Sequence, residues 1–264
     1  MLIEWLHHRA TPCDPKLKRM GYLKELIALG ARYRRCRHAW APHLALCQNL
    51  ILQSMDGIPH GRVTVLGSGF LLDIPLKALA ETFDEVELVD ILHMPEVKKR
   101  TRVFPNVRLV ETDLSGVADA TWDYIEQGQT GPLPAPRINA GFCVDSDLVV
   151  SANLLSQLPL TPMGWLKKKG YGEGDIQTFA RAVFDHHLEF LSALPGRVCL
   201  ITETRQMIMD GDEILEEIDP LFGADLPLSG KKWIWNVALR PEVNRNIDLR
   251  YHITGISDYS NTGG

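Results

Sequence analysis

Apolar residues follow two different spacings along the chain, and the change between them falls near residue 60. Before it, Leu17 to Arg37 and Ala41 to Met55 show the three- and four-residue spacing of amphipathic helices. Pro42 suits the first turn of the second helix, and Gly57-Ile58-Pro59 is a stop signal. The sequence therefore predicts two helices within the first sixty residues.

Short apolar runs alternate with amphipathic segments from Arg62 onward. The runs VTVLG, EVELVD and VRLVETD are typical of buried strands, and DIPLKALAETF and PEVKKRTRVF between them are typical of helices. Strands that alternate with helices pair in parallel through right-handed crossovers. This stretch therefore predicts a parallel sheet with a helix between successive strands.

The second half of the chain continues the alternation and then changes it. After a loop rich in glycine and proline (Gly128 to Gly141), SDLVVSANLL predicts a fourth strand, Asp175 to Leu194 a helix and RVCLITET a fifth strand. A polar helix is expected near Asp212 to Ile218.

Two final apolar runs, KWIWNVAL and DLRYHITGIS, have no helical pattern between them and predict an antiparallel hairpin. Trp233 and Trp235 alternate at strand spacing, so both should point to one face as hairpin core. The whole pattern predicts an α/β fold, with an N-terminal helical cap over residues 1–60 and the main domain over residues 61–264.

Glycines and acids stand where the first three predicted strands end. Gly67 and Gly69 follow the first strand, where glycine lets backbone N–H groups approach a ligand. Asp90 ends the second strand and could accept hydrogen bonds from ribose hydroxyls, and Asp113, after the third, could accept one from an adenine amino group. Each acid alone is also typical of a cap or turn. Together, these features predict a nucleoside pocket.

The residues after the glycines favour one kind of nucleoside. Leu72 stands where a dinucleotide site needs a third glycine, and Asp73 is expected to open the next helix. A carboxylate at a helix N-terminus would repel a pyrophosphate, whereas a cationic sulfonium has no such conflict. The sequence therefore favours S-adenosylmethionine over a dinucleotide.

At these positions the chain resembles the class I S-adenosylmethionine-dependent methyltransferases. The resemblance rests on VTVLGSGF, VELVD, VRLVETD and DLVVSANLLSQLP, and it extends from Arg62 to Ser257. It implies a Rossmann-like, doubly wound, seven-stranded sheet whose last strand is antiparallel. The cofactor would lie across the ends of strands one, two and four.

The resemblance implies a set of cofactor-binding residues. These are Gly67, Ser68, Gly69, Asp90, Ile91, Asp113, Leu114 and Asn153. Val65 stands where the family often has an acid, and Leu71 replaces the last glycine of the GxGxG motif. These departures leave two alternatives open: aminoalkyl transfer of the nicotianamine-synthase or spermidine-synthase kind, and a non-catalytic interaction protein with the same fold.

Methyl transfer needs mainly positioning and, for a protonated acceptor, a base. Asn153 could hydrogen-bond the acceptor or the cofactor, or could simply close a turn. His186 and His187 are candidate bases, but adjacent helical residues point about 100° apart, so at most one faces the sheet. His38 and His43 on the N-terminal helices are further candidates. Asp119, Trp122, Asp123 and Tyr124 follow the third strand and could border the pocket.

Composition and charge limit the classes of ligand and partner that the chain is expected to bind. The chain has 264 residues, 45% hydrophobic residues and a net charge of -5, which predicts a soluble protein with a small-molecule acceptor and without nucleic acid or membrane partners. Five cysteines without zinc-ligand spacing predict no metal site and reduced thiols in the cytoplasm. The basic run from Lys16 to Arg37 is either a solvated helix face or a docking face, and these helices could form a homo-oligomer.

Overall fold

In the computed structural model, the N-terminal region from residue 11 onward forms a short helix followed by a long one. The structure describes residues 8–9, 11–138, 140–224, 226 and 229–261. Helix α1 spans Pro15–Met20 and helix α2 spans Tyr22–Ser54. Asp14 caps α1 by accepting a hydrogen bond from Lys16 N at 2.7 Å.

The expectation of two helices separated before Pro42 is wrong, because α2 is a single helix of 33 residues that continues through this proline. Pro42 is exposed, whereas Trp40, His43 and Cys47 are buried. Packing of this buried stripe maintains a helix that the proline alone would interrupt.

The basic residues of this region form ion pairs and ring contacts within the chain. Lys16 Nζ lies 2.7 Å from Asp119, and Arg35 Nη2 lies 2.6 Å from Glu242. The Arg19 guanidinium lies 4.7 Å from the ring centroid of Trp122. Part of the predicted solvated face is therefore used to attach α1 and α2 to the rest of the molecule.

The predicted alternation of strands and helices is confirmed after residue 61. The elements are β1 (Arg62–Leu66), α3 (Leu76–Thr82), β2 (Glu85–Asp90), α4 (Pro95–Thr101), β3 (Val107–Glu111), α5 (Ala118–Glu126), β4 (Leu148–Ala152), α6 (Leu160–Lys168) and α7 (Glu173–Ser192). Short 3-10 turns lie at Ala140–Phe142, Leu155–Gln157 and Tyr259–Asn261. Helices α5 and α6 were not among the predicted elements.

The remaining strands are β5 (Arg197–Asp210), β6 (Glu213–Ile218), β7 (Lys231–Ala238) and β8 (Asp248–Ile256). The sheet order is β3-β2-β1-β4-β5-β8-β7, with β6 paired to β5. Strands β1 to β5 are parallel, and β8 is antiparallel to both of its neighbours. The α/β class, the doubly wound Rossmann-like sheet and the terminal hairpin are therefore confirmed.

The segment expected to form a polar helix near Asp212 to Ile218 is instead β6, so the sheet has eight strands within the described residues, where the resemblance implied seven. Strand β5 runs on to Asp210, and the turn at Gly211, with φ +60°, reverses the chain. Residues 213–218 then pair antiparallel with β5. Backbone pairing with an existing strand overrides the helical preference of this Glu- and Leu-containing segment.

Two apolar layers sandwich the sheet. One lies between the sheet and α2 and includes Leu23, Ile51 and Ile253; the other lies under α7 and includes Phe184 and Leu191. Trp233 and Trp235 pack against the first layer, which confirms that they are hairpin core. The predicted division into a cap and a main domain stays a prediction.

Within the described parts of the chain, no helix is long and apolar enough to cross a membrane. Among the same residues, no three His, Cys, Asp or Glu side chains are grouped as a metal site would require.

Candidate functional site

The turn after β1 folds back onto the end of β2. The N–H groups of Gly67 and Ser68 both donate to the carbonyl of Val89, at 2.9 and 3.2 Å. Gly67, Gly69 and Leu71 have positive φ values of 71°, 50° and 58°. Left-handed backbone at alternate positions makes a tight turn at the place where the strand order reverses between β1 and β4.

Asp90 holds this turn directly. Its Oδ2 accepts from Gly69 N at 2.7 Å, and its Oδ1 accepts from Ile91 N at 2.8 Å. Burial raises the pKa of Asp90, while the hydrogen bond from Gly69 opposes the shift. Each carboxylate oxygen has a second lone pair, so the group can still accept hydrogen bonds from a ligand.

Asp113 lies beside the end of β2 but uses its carboxylate locally. Thr112 N donates to the Asp90 carbonyl at 2.8 Å, which places the end of β3 next to that of β2. The Asp113 carboxylate accepts from Ser115 N and from Ala118 N, both at 2.8 Å. A cap or turn residue, the alternative that the sequence left open, is therefore the role that the contacts describe; the adenine contact stays a prediction. Leu114 is buried in the layer under α7.

The two glycines of the turn differ in the space beside them. A Cβ on Gly67 would come within 2.7 Å of Leu154 Cδ1, so a side chain of the protein fills this space. A Cβ on Gly69 would meet only the Gly67 carbonyl oxygen, at 3.9 Å. The backbone at Gly69 is therefore the part of the turn that a ligand can approach, and Asp90 lies directly behind it.

Ser68 is buried and contacts a histidine that the sequence analysis did not single out. Ser68 Oγ lies 3.5 Å from His93 Nδ1, and His93 Nε2 lies 3.2 Å from the Val110 carbonyl oxygen. His93 is 1% exposed and follows β2 closely in the chain. Its position after Asp90 was the available signal, but no spacing rule distinguishes it from an ordinary core histidine.

Asp73 does not open a helix, contrary to the expectation. Helix α3 begins at Leu76, and the Asp73 carboxylate accepts from Asn153 Nδ2 at 2.6 Å. Burial raises the pKa of Asp73, and the Asn153 hydrogen bond opposes the shift. Asn153 Nδ2 also lies 3.7 Å from Cys47 Sγ on α2. The structure thus joins the ends of β1 and β4 through side chains beneath α2.

A further acid, Glu203, was not predicted; it lies within β5, two residues past Ile201, which pairs with the last residue of β4. It is 1% exposed, and its Oε1 accepts from Gln157 Nε2 at 3.1 Å. Burial raises the pKa of Glu203, opposed by hydrogen bonds from Ser156 and Gln157. Where the parallel strands β1, β2 and β4 end, the structure therefore has the half-buried carboxylates of Asp73 and Asp90 and the buried one of Glu203 on β5.

Only one of the two adjacent histidines on α7 faces the sheet, as predicted. His187 is buried, with Nε2 3.2 Å from Ser151 Oγ, and burial lowers its pKa to about 3. His186 Nε2 instead accepts from Ile138 N at 3.2 Å. Both histidines lie on α7, on one side of the sheet, whereas the side chain of Asn153 contacts α2 on the other side. A role for either histidine as a base stays a prediction.

The histidines of α2 differ in burial. His43 stacks on Trp235 with ring centroids 4.1 Å apart, and its Nδ1 accepts from Trp233 Nε1 at 3.0 Å. Burial lowers the pKa of His43 to about 3. His38 is exposed. The structure places His43 in an aromatic cluster next to Cys47, which in turn contacts Asn153.

Comparisons with known proteins give structural neighbours only. No protein-family description and no curated protein sequence matches the chain. Among solved structures, it is similar to the N-methyltransferase NodS from Bradyrhizobium japonicum in complex with S-adenosylhomocysteine, at 14% identity over 81% of this chain and 86% of that one, with a TM-score of 0.38.

A second neighbour is the 1,6-didemethyltoxoflavin-N1-methyltransferase from Burkholderia thailandensis, also with S-adenosylhomocysteine bound. It shares 13% identity over 94% of this chain and 93% of that chain, with a TM-score of 0.42. The DhpI–S-adenosylhomocysteine complex shares 16% identity over 86% and 93% of the two chains, with a TM-score of 0.36. At these values the neighbours carry no argument about the activity of this chain.

Proposed function

We propose that this chain is an S-adenosylmethionine-dependent methyltransferase that acts on a small-molecule acceptor. The observation that carries the proposal is the glycine turn at the strand reversal, where open backbone at Gly69 lies against the Asp90 carboxylate. An open parallel sheet binds its ligand at such a reversal, beyond the carboxyl ends of the strands.

The residues at this edge suit the proposed cofactor. S-adenosylmethionine supplies a methyl group already activated by a positively charged sulfur. Asp90 and the backbone from Gly67 to Gly69 would hold its adenosine, with Ile91 beside them. Asp73 and Asn153 give the neighbouring part of the edge an acidic and amide character, which suits a cationic ligand and disfavours a pyrophosphate.

Helix α2 supports the proposal that the acceptor is small. A Cβ on Gly30 of this helix would come within 2.9 Å of the Phe70 ring, so α2 closely covers the glycine turn. Covering helices of this kind exclude water from the site and leave room for a compact acceptor rather than a polymer. The chain's own contribution to the reaction would be to orient the acceptor.

The test is calorimetric titration with S-adenosylhomocysteine, of the wild type and of Asp90→Asn. We expect binding by the wild type and a loss of about 1 to 3 kcal/mol in the variant, because one charge-assisted acceptor is removed. Asp84→Asn is the matched control, since Asp84 is an exposed acid immediately before the same strand. Equal binding by the wild type and Asp90→Asn would contradict the assignment of Asp90.

Analysis of the spent cofactor tests the reaction type. Methyl transfer leaves S-adenosylhomocysteine, whereas aminoalkyl transfer leaves methylthioadenosine. Detection of methylthioadenosine would replace the methyltransferase proposal with its aminoalkyl alternative.

A non-catalytic protein with this fold is the second candidate, and two observations favour it. Leu154 fills the space beside Gly67, and the Asp113 carboxylate is already used by backbone N–H groups. This candidate requires that S-adenosylmethionine and S-adenosylhomocysteine release no heat on titration and leave the melting temperature unchanged. A bound ligand at a hundred times its Kd would instead add about 2.7 kcal/mol of stability.

A further inference from the structure

Two buried side-chain oxygens near the place where β4 ends beside β5 have no hydrogen-bond partner within the described residues. They are Oδ1 of Asn153 and Oε2 of Glu203. A buried acceptor without a donor costs free energy, and native structures contain few of them. Two such acceptors, one after β4 and one within the neighbouring β5, indicate a ligand that brings hydrogen-bond donors.

Both side chains lie on the face of the sheet that α2 covers. Glu203 pairs with Ile253 across β5 and β8, and residues paired across antiparallel strands share a face. Ile253 belongs to the apolar layer under α2. Alternation along β4 would direct Asn153 toward α7, but its φ is +53° and its side chain contacts Cys47 of α2. The two unpartnered acceptor oxygens therefore lie on the same side of the sheet, on neighbouring strands.

Glu203 has no cationic partner among the residues that the structure describes. Its polar neighbours are all uncharged: the side chains of Ser156, Gln157 and Gln206. The hydroxyl of Tyr251 is also near, and burial and the Glu203 charge together raise its pKa to about 12. A buried carboxylate without a cation is unfavourable in its charged form. Gln157 is exposed, so this acid lies one side chain beneath the surface.

We propose that Glu203 binds an amino group of the methyl acceptor and that Asn153 Oδ1 accepts a second N–H from it. This inference rests on the proposed function and names the acceptor class, a small amine bound as its ammonium ion. An ammonium nitrogen has N–H donors for both oxygens and a positive charge for the carboxylate. An alcohol has one donor and no charge.

The experiment compares matched probes on the protein saturated with S-adenosylhomocysteine. Calorimetric titrations use benzylamine against benzyl alcohol and butylamine against butanol. We expect the wild type to bind each amine about tenfold or more tightly than its alcohol, as a charge-assisted hydrogen bond predicts. Glu203→Gln should remove this preference, and Glu203→Asp should restore part of it. Glu213→Gln, at an exposed position on β6, should keep it.

Stability and cofactor binding separate this ligand role from a structural one. Glu203→Gln keeps the shape of the side chain and removes an unpaired buried acid, so its melting temperature should equal or exceed that of the wild type. Its affinity for S-adenosylhomocysteine should be unchanged. A wild type without amine preference, a Glu203→Gln variant that retains it, or a variant that melts earlier would each overturn the inference.

Failure of the proposed function gives a different result. A wild-type chain that does not bind S-adenosylhomocysteine would overturn the methyltransferase proposal. The same titrations without S-adenosylhomocysteine then decide the role of Glu203. Amine preference in that case supports the assigned chemistry of Glu203, and its absence overturns this as well.

Discussion

At the residue scale, Gly67 is required for two separate reasons, and a substitution can test both. Its φ of +71° is strained for other residues, and a Cβ would lie 2.7 Å from Leu154. We expect Gly67→Ala to lower the free energy of unfolding by about 2 to 4 kcal/mol, from backbone strain plus overpacking. Chemical denaturation measures this change.

Gly57 supplies the matched control. Its φ is +73°, but nothing lies within 4 Å of a Cβ placed there. Gly57→Ala should cost only the backbone term, about 1 to 2 kcal/mol. Adding Leu154→Ala to Gly67→Ala should make the cost of the glycine substitution smaller than in the wild-type background. Equal costs at the two glycines would show that Leu154 does not restrict the turn.

The sequence identified single site residues where the backbone conformation or the end of a strand requires a particular residue type. Gly67, Gly69 and Asp90 stood out because a tight turn and an acid at a strand end have recognisable spacing, and the structure joins them. Glu203 could not be found in this way. It occupies an ordinary strand position, and its unpartnered oxygen depends on β4 and β8, which are distant in sequence.

At the scale of elements, Pro42 destabilises the helix that contains it. It is exposed inside α2, where a proline removes one backbone hydrogen bond and strains the preceding turn. We expect Pro42→Ala to raise the free energy of unfolding by about 1 to 3 kcal/mol. Thermal and chemical denaturation of the full chain would measure it.

Ala41→Gly is the control for this prediction, because Ala41 is the exposed neighbour. A glycine there should cost about 1 kcal/mol through backbone entropy, as in any exposed helix interior. A loss of stability in Pro42→Ala would mean that the proline shapes the helix to fit Trp40 and His43 against the sheet.

Helix and strand patterns identified most elements but failed where tertiary pairing decides the outcome. The helix expected at Asp212 to Ile218 has suitable residues, yet β5 offers free backbone groups alongside it and the segment becomes β6. The break expected before Pro42 fails for a similar reason, since the buried side of α2 runs past the proline. Local propensity does not take account of the pairing with β5 or of the packing of α2 against the sheet.

At the scale of the whole molecule, buried histidines make stability depend on pH. The pKa values of His43 and His187 fall to about 3 in the folded protein, below the ordinary value of 6.5, because both rings are buried. The unfolded chain therefore takes up protons first as pH decreases. Stability from this source is complete above pH 6.5 and is lost down to about pH 3, by up to about 1.4 kcal/mol per pH unit for each ring.

Titration of Glu and Asp side chains also changes the free energy of unfolding in this pH range. The contribution of one histidine is therefore measured as the difference between the wild type and a variant that lacks it. The free energy of unfolding of the wild type should fall more steeply between pH 6.5 and 4 than that of His187→Gln, which has lost one of the two rings. His38→Gln, at an exposed position, should follow the wild-type curve. Parallel curves for the wild type and His187→Gln would contradict the expected neutral state of this ring.

The overall topology was predictable because alternating strands and helices allow few arrangements. The position of α2 was not, since nothing local shows that one helix packs on the sheet and also reaches the glycine turn. Gly255 shows that the position of α2 depends on tertiary packing: a Cβ there would lie 2.5 Å from Leu50 of α2 and 2.8 Å from Trp233. Close packing at this glycine is a property of three elements that are far apart in the chain.

Strand β8 lies between β5 and β7, although it follows both of them in the chain. During synthesis on a ribosome, β7 would emerge before β8, the neighbour to which it hydrogen-bonds. The part of the apolar side of α2 that packs against this hairpin would be uncovered at that stage. Only when residues 248–256 leave the exit tunnel can the nascent chain complete this half of the molecule. Until then, the unpaired edges of β5 and β7 are the surfaces most in need of a chaperone.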